Sequence, residues 1–197
     1  MTNVALFGPP GAGKGTQSQK LIQKYRLAHI APGDLLREHI NKKTALGQQV
    51  AKYINKGKLA PNALVIDIVA AQLAAQKDDD GFLFDGFPRT VIQARALEEK
   101  LASYNMEIDA VVFLEVPEQE LIKRIKYRAK IVGRVDDQDE EKIATRMRIY
   151  HDATLPVAQY YAQQNKLCKV NGVGEVDAIF ERIVAAMGQL SAIPALK

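Results

Sequence analysis

The 197-residue chain is 47% hydrophobic and 25% charged, a composition that fits one soluble α/β domain with small insertions. Its formal charge of +4 is mild and its basic residues cluster, which suits a polyphosphate ligand and argues against nucleic acid as a partner. The single cysteine, Cys168, excludes an intrachain disulfide and a four-cysteine zinc site, and no apolar run approaches the ~20 residues of a membrane span.

The N-terminus reads as a strand rather than a signal peptide, so a cytoplasmic protein is expected. An apolar run from Asn3 to Phe7 stops at Gly8-Pro9-Pro10-Gly11-Ala12-Gly13-Lys14-Gly15-Thr16, and Gln17 to Tyr25 continues at helical spacing. Strand, glycine-rich loop and helix, with Gly8-x4-Gly13-Lys14 in the loop, make a phosphate-binding P-loop. Glycines let consecutive N–H groups converge on a phosphate at a helix N-terminus that already favours negative charge. Lys14 adds a point charge for the terminal phosphates. The hydroxyl of the motif comes one place late, at Thr16 after Gly15.

Ala28 to Ile30 is a short strand ended by Ala31-Pro32-Gly33, and Asp34 opens a helix over Leu35 to Lys43. A second helix runs from Ala45 to Asn55. Lys56-Gly57-Lys58 breaks it, and Pro61 starts a third that ends near Gln76, with Leu64, Ile68 and Leu73 on one face. Asp78-Asp79-Asp80 reads as a solvated turn rather than a metal site. Phe82 to Asp85 is a buried strand ending in a carboxylate, Gly86-Phe87-Pro88-Arg89 a loop, and Thr90 to Tyr104 a helix. Ala110 to Val116 is a buried strand, and Glu118 to Ala129 a helix with Arg124 and Arg128 on one face. Ile131 to Asp137 reads as an exposed loop. Helix dominates from Asp139 to Gln164 with a bend at Pro156; Leu167 to Val170 is the last strand and Val176 to Gly188 the last helix.

Alternating strands and helices, with near-continuous apolar strands, predict a parallel sheet covered on both faces, with ligands at the carboxyl ends of its strands. The P-loop and Asp85 both fall there. Asp85 is then placed to orient Mg²⁺ or its bound water, or else to cap the turn after it. Arg37, Arg89, Arg124, Arg128, Arg134 and Arg146 stand near loop or helix ends that can face one cleft. Guanidinium groups suit phosphate because they are planar, permanently charged and bidentate.

Four ordered segments carry a family resemblance: Gly8 to Thr16, Gly33-Asp34-Leu35-Leu36-Arg37, Asp85-Gly86-Phe87-Pro88-Arg89-Thr90 and Gly133-Arg134-Val135-Asp136-Asp137. They resemble the nucleoside monophosphate kinases, and among them the adenylate kinase family in its short-lid form, over the chain to about Gly188. The resemblance implies a P-loop fold with a five-stranded parallel sheet flanked by helices. Its core would be residues 1–30, 61–126 and 138–197, with an insertion for the monophosphate at 31–60 and a short lid at 127–137. It implies reversible transfer of the terminal phosphoryl group of ATP to AMP, giving two ADP, by a monomer that uses Mg²⁺ and no zinc.

By matching motifs, Gly11, Ala12, Gly13, Lys14, Gly15 and Thr16 would hold the ATP phosphates, Arg124 and Arg128 would cover the nucleotide, and Gly174 would meet its adenine. Arg37 and Arg89 would clamp the AMP phosphate. Pro32, Lys58, Leu59, Ala60, Gly86, Phe87 and Pro88 would line the AMP pocket, and Gln93 would read the adenine edge. Arg134 and Arg146 would reach both phosphate chains, joining Lys14, Arg89 and Arg128 as the catalytic set. Ala31-Pro32 departs from the hydroxyl-bearing pair usual in the family, which bears on base discrimination. The alternatives are a UMP/CMP kinase and a P-loop switch without transfer. Thr90 and Gln93 favour adenine over a pyrimidine, and Asn41-Lys42-Lys43-Thr44 lacks the final Asp of a guanine-reading motif.

Overall fold

The computed structural model describes residues 2–76, 80–133, 137 and 139–190. Its centre is a five-stranded sheet in the order β2-β3-β1-β4-β5. The strands are β1 (Val4–Phe7), β2 (Ala28–Ile30), β3 (Phe82–Asp85), β4 (Ala110–Glu115) and β5 (Leu167–Asn171), and every pairing is parallel. Alternate residues of one strand serve two cores. Ala5 and Phe7 pack on one face with Phe84, Val111 and Phe113, while Val4 and Leu6 pack on the other with Leu83, Val112 and Leu114. A strand buried on both faces has no polar register, which is why these runs read as continuously apolar.

Helices α1 (Lys14–Tyr25), α6 (Glu118–Val132) and α9 (Val176–Gly188) cover the face of Val4 and Leu6 through Leu21, Leu121 and Ile183. The opposite face is covered by α4 (Asn62–Ala75), α5 (Val91–Ala102) and α8 (Leu155–Ala162), through Val69, Leu97 and Tyr161. The ridge that α4 buries is Val65, Val69 and Leu73, four residues apart; Leu64 and Ile68, expected to share its face, are only partly buried beside it. Between β2 and α4 lie α2 (Pro32–Asn41) and α3 (Ala45–Ile54), a helical hairpin whose second arm is capped by Thr44, its hydroxyl accepting from Gly47 N at 3.1 Å.

Helix starts differ from the sequence reading at two places that matter. Helix α1 begins at Lys14, inside the glycine-rich segment, because Gly13 turns left-handed (φ 93°) and its carbonyl accepts from Thr16 N and Gln17 N. Helix α2 begins at Pro32 rather than after Asp34. A proline in the first turn forfeits no helical hydrogen bond, so Pro32 acts here as a helix starter.

At the two ends of the stretch expected as an exposed loop, 131–137, the outcome is mixed, and residues 134–136 lie outside the described residues. Helix α6 runs on to Val132, and Asp137 is 2% exposed. Two of the three acids at 78–80, Asp78 and Asp79, lie outside the described residues. The long helical stretch divides into α7 (Glu140–Ile149), one π turn (Tyr150–Thr154) and α8. Pro156 has no N–H to return to Asp152, and the widened turn just before it accommodates that loss.

Candidate active site

The carboxyl end of β1, the P-loop, the loop after β3, the α2–α3 hairpin and the π turn line one cleft. Order at the sheet explains its place. β1 and β4 lie side by side, and the connection after β1 runs to β2 on one side while that after β4 runs to β5 on the other, which opens a crevice at their carboxyl ends.

The P-loop supplies one wall. Gly11 sits at φ 85°, and a Cβ there would come within 2.9 Å of both Leu121 O and Ile125 Cγ1, so the loop lies directly on α6. That contact brings Arg124 to the loop: a Cβ at Gly13 would stand 4.0 Å from its guanidinium Nη1. Arg124 is held from two sides, donating through Nε to Glu120 (2.8 Å) and through Nη1 to Gly172 O (3.1 Å). Gly172 and Gly174 belong to the turn between β5 and α9, whose carbonyls at Asn171 and Val173 accept from Arg182. Gly11, Ala12, Gly13 and Arg124 are therefore neighbours, and Gly172 joins them through Arg124, with Gly174 two residues further along that turn; Gly15 and Thr16 stand in the exposed first turn of α1.

Lys14 folds back over the loop and donates to Gly8 O (2.8 Å) and Pro9 O (3.0 Å). Burial pushes its pKa down to about 7, helped by the charges of Arg89, Arg146 and Arg128 and opposed by Asp85. Asp85 itself is affected first by burial, which favours its neutral form. The nearby His29, the Ser18 hydrogen bond and the Lys14 charge outweigh burial and hold it below the usual carboxylate range. Ser18 Oγ donates to it at 2.7 Å and His29 Nε2 lies 3.6 Å away. Asp85 is thus an ionised oxygen donor tied to α1 and β2 as well as to its own strand. Ser18 and His29 went unrecognised in the sequence, since neither is close to Asp85 along the chain.

The opposite wall is the acceptor side. Pro32, Arg37, Lys58, Leu59, Ala60, Gly86, Phe87, Pro88, Arg89 and Gln93 all line the same cleft as Lys14 and Arg146. Two guanidinium groups converge over the first turn of α2: a Cβ on Gly33 would lie 3.4 Å from Arg37 Nη1 and 3.5 Å from Arg89 Nη2. Arg37 is also paired with Asp34, and Arg89 Nε donates to Gly86 O at 2.7 Å. Two cations side by side at a helix N-terminus repel one another unless an anion lies between them. The Gln93 amide lines the cleft but is engaged. Its Oε1 accepts from Arg89 N (2.7 Å) and its Nε2 donates to Asn62 Oδ1 (2.9 Å).

A third group closes the cleft from the side of α7. Asp137 accepts from Arg128 through both oxygens (2.6 and 3.0 Å) and also from Arg146. Its carboxylate is fully buried between the two guanidinium groups, which a lone charge would not tolerate. Gly57, at φ 70°, meets this group from the hairpin side; a Cβ there would come within 2.9 Å of Arg146 Cγ and of Lys142 O. Arg134, expected in the same set, lies outside the described residues. Ile149, Tyr150 and Thr154, around the π turn, also line the cleft, and Thr154 Oγ1 donates to Arg89 O at 3.1 Å. Of this third wall the sequence reading had Arg128, Arg146 and the motif ending at Asp137, and missed Ile149, Tyr150 and Thr154.

Among the described residues no cluster of three His, Cys, Asp or Glu side chains forms a metal site, and no helix is long and apolar enough to cross a membrane. The adenylate kinase family model matches residues 6–166. The chain is similar to the adenylate kinase of Phocaeicola vulgatus, 44% identical over 190 residues that cover 96% of this chain and all of that one. The adenylate kinase of Bacteroides thetaiotaomicron matches over the same lengths at 44% identity. That of Porphyromonas gingivalis is 44% identical over 183 residues, 93% of this chain and 94% of its own.

Proposed function

The chain belongs to the adenylate kinase family, and we infer that it transfers the terminal phosphoryl group of ATP reversibly to AMP, giving two ADP. The observation that carries this reading is the second anion site: Arg37 and Arg89 converge at α2, across one cleft from the P-loop and Lys14. A switch that only binds nucleotide has no use for such a site. Family membership also disfavours a UMP/CMP kinase.

In this reading Gly11 to Thr16 wrap the ATP phosphates, Arg124 lies over the nucleotide, and Gly174 meets the adenine. Arg37 and Arg89 hold the AMP phosphate so that one of its oxygens faces the γ-phosphorus in line. Lys14, Arg89, Arg128, Arg134 and Arg146 neutralise charge on the transferring group, and little covalent chemistry falls to the protein. The donor chemistry at Asp85, an ionised carboxylate beside a lysine and the Ser18 hydroxyl, fits Mg²⁺, which takes few protein ligands and keeps its waters. When bound, Mg²⁺ would draw charge from the ATP phosphate oxygens, with Asp85 holding one of its waters.

We place the acceptor insertion at 31–60 and the lid at 127–137, with the remainder as core. Closure of both over the substrates would exclude water and strengthen every charge in the cleft; adenylate kinases are themselves a standing example of such lid motion. Both substrate sites are lined by one copy of the chain, which supports a monomer, and the free buried thiol of Cys168 accords with a reducing cytoplasm. The test is a panel of AMP, CMP and UMP with ATP and Mg²⁺. AMP is expected to give by far the highest kcat/KM; a preference for CMP or UMP would overturn the assignment.

A further inference from the structure

Gln93 faces the acceptor pocket with an amide, and an amide is ambiguous. Its oxygen accepts and its nitrogen donates, so turning it over reverses the pattern that a ligand meets. In this chain the turn is blocked from behind. Arg89 N–H can only donate, and Gln93 Oε1 accepts it at 2.7 Å. On the other side Nε2 donates to Asn62 Oδ1 at 2.9 Å. Asn62 is fixed in its own right, because Thr90 Oγ1 donates to the same Oδ1 at 3.2 Å while accepting from Gln93 N at 3.2 Å. Reversing the Gln93 amide would set donor against donor at Arg89 and acceptor against acceptor at Asn62. Gln93 is 2% exposed, so water cannot make good either loss.

We propose that Asn62, which does not line the cleft, is a positioning residue that locks the donor–acceptor order of the Gln93 amide and so makes the pocket select amino-bearing over oxo-bearing bases. The proposal rests on the AMP reading above. A primary amide has two donor hydrogens and two acceptor lone pairs. Arg89 and Asn62 each take one, which leaves one donor and one acceptor in a set order for the ligand. Adenine presents an amino donor beside a ring-nitrogen acceptor; hypoxanthine presents a carbonyl acceptor beside an N–H donor. A freely turning amide pairs with both. A locked one pairs with one order only. The lock does not separate adenine from cytosine, whose edge has the same order, so purine over pyrimidine has to come from the size and shape of the pocket.

The experiment compares kcat/KM for AMP and for inosine monophosphate, with ATP and Mg²⁺, in wild type, Asn62→Leu and Asn62→Asp. Leucine keeps the volume and removes the acceptor; aspartate keeps an acceptor for both Gln93 and Thr90. The expected result is that Asn62→Leu lowers the AMP preference about three- to tenfold, the span of one neutral hydrogen bond, mainly through the KM values of the monophosphates. The KM for ATP should not move, and Asn62→Asp should restore the preference. A folded Asn62→Leu enzyme with wild-type preference would overturn the proposal, as would an aspartate variant that behaves like leucine. Should leucine prevent folding, Asn62→Ala is read in the same way. No ADP from ATP and AMP in the wild type would instead overturn the kinase reading and the proposal with it, whereas a normal AMP rate with an unmoved preference in the variants rejects the proposal alone.

Discussion

Lys14 is a cation held in waiting. Its ammonium group rests on the carbonyls of Gly8 and Pro9, where burial first, and then three arginine charges, lower its pKa to about 7. A triphosphate brought beside it supplies the opposite charge, so its pKa must rise on binding. The sign follows. Below the free-enzyme pKa the lysine is already protonated and ATP binding takes up no proton at this site; above it, binding takes up a proton. Calorimetry in two buffers of different ionisation enthalpy should therefore show net uptake near about pH 8 that fades by about pH 6. Lys14→Met should abolish that uptake and lower kcat by about 10²–10³-fold, the effect of removing one preorganised stabilising charge. Buffer-independent heats at the higher pH would contradict the account of Lys14. The lysine itself was plain in the sequence, since the P-loop spacing needs only local chain. Its partners were legible only through the family resemblance, because Arg89, Arg128 and Arg146 reach it from three separate elements.

At the scale of elements, the strands were legible and the ends of helices were less so. Each strand is buried on both faces, so β3 and β4 announce themselves as unbroken apolar runs. The start of α1 was hidden because Gly13 and Gly15 disfavour helix locally, while the strand before them and the packing on α6 fix the turn. Asp137 was the largest miss. Its neighbours are charged and its segment short, and only the arrival of Arg128 from α6 and Arg146 from α7 makes a buried place for a carboxylate. The pairing ties the end of α6 to α7. Asp137→Ala is expected to lower stability by about 1–3 kcal/mol, less than for a wholly buried pair because Arg128 is a third exposed. It should also reduce kcat, since both arginines lose the group that aims them. Denaturant unfolding and steady-state rates check the two effects, and a variant with wild-type values of both would remove Asp137 from the account.

Across the whole molecule, the sheet carries the site as a fixed floor, while the hairpin of α2 and α3 and the end of α6 stand over it. A ligand made of two adenosines joined by five phosphates would occupy both anion sites at once. Saturating it should shrink the radius of gyration measured by solution scattering, and identical profiles with and without it would argue against closure. The most direct test follows the phosphorus atom. ATP labelled at its γ-phosphorus is mixed with AMP carrying a different label in its adenine, with Mg²⁺ present. Direct transfer in one cleft predicts ADP that carries both labels, formed at the same rate as ADP from ATP, with no labelled inorganic phosphate. Label released as inorganic phosphate, with the adenine label left in AMP, would contradict it.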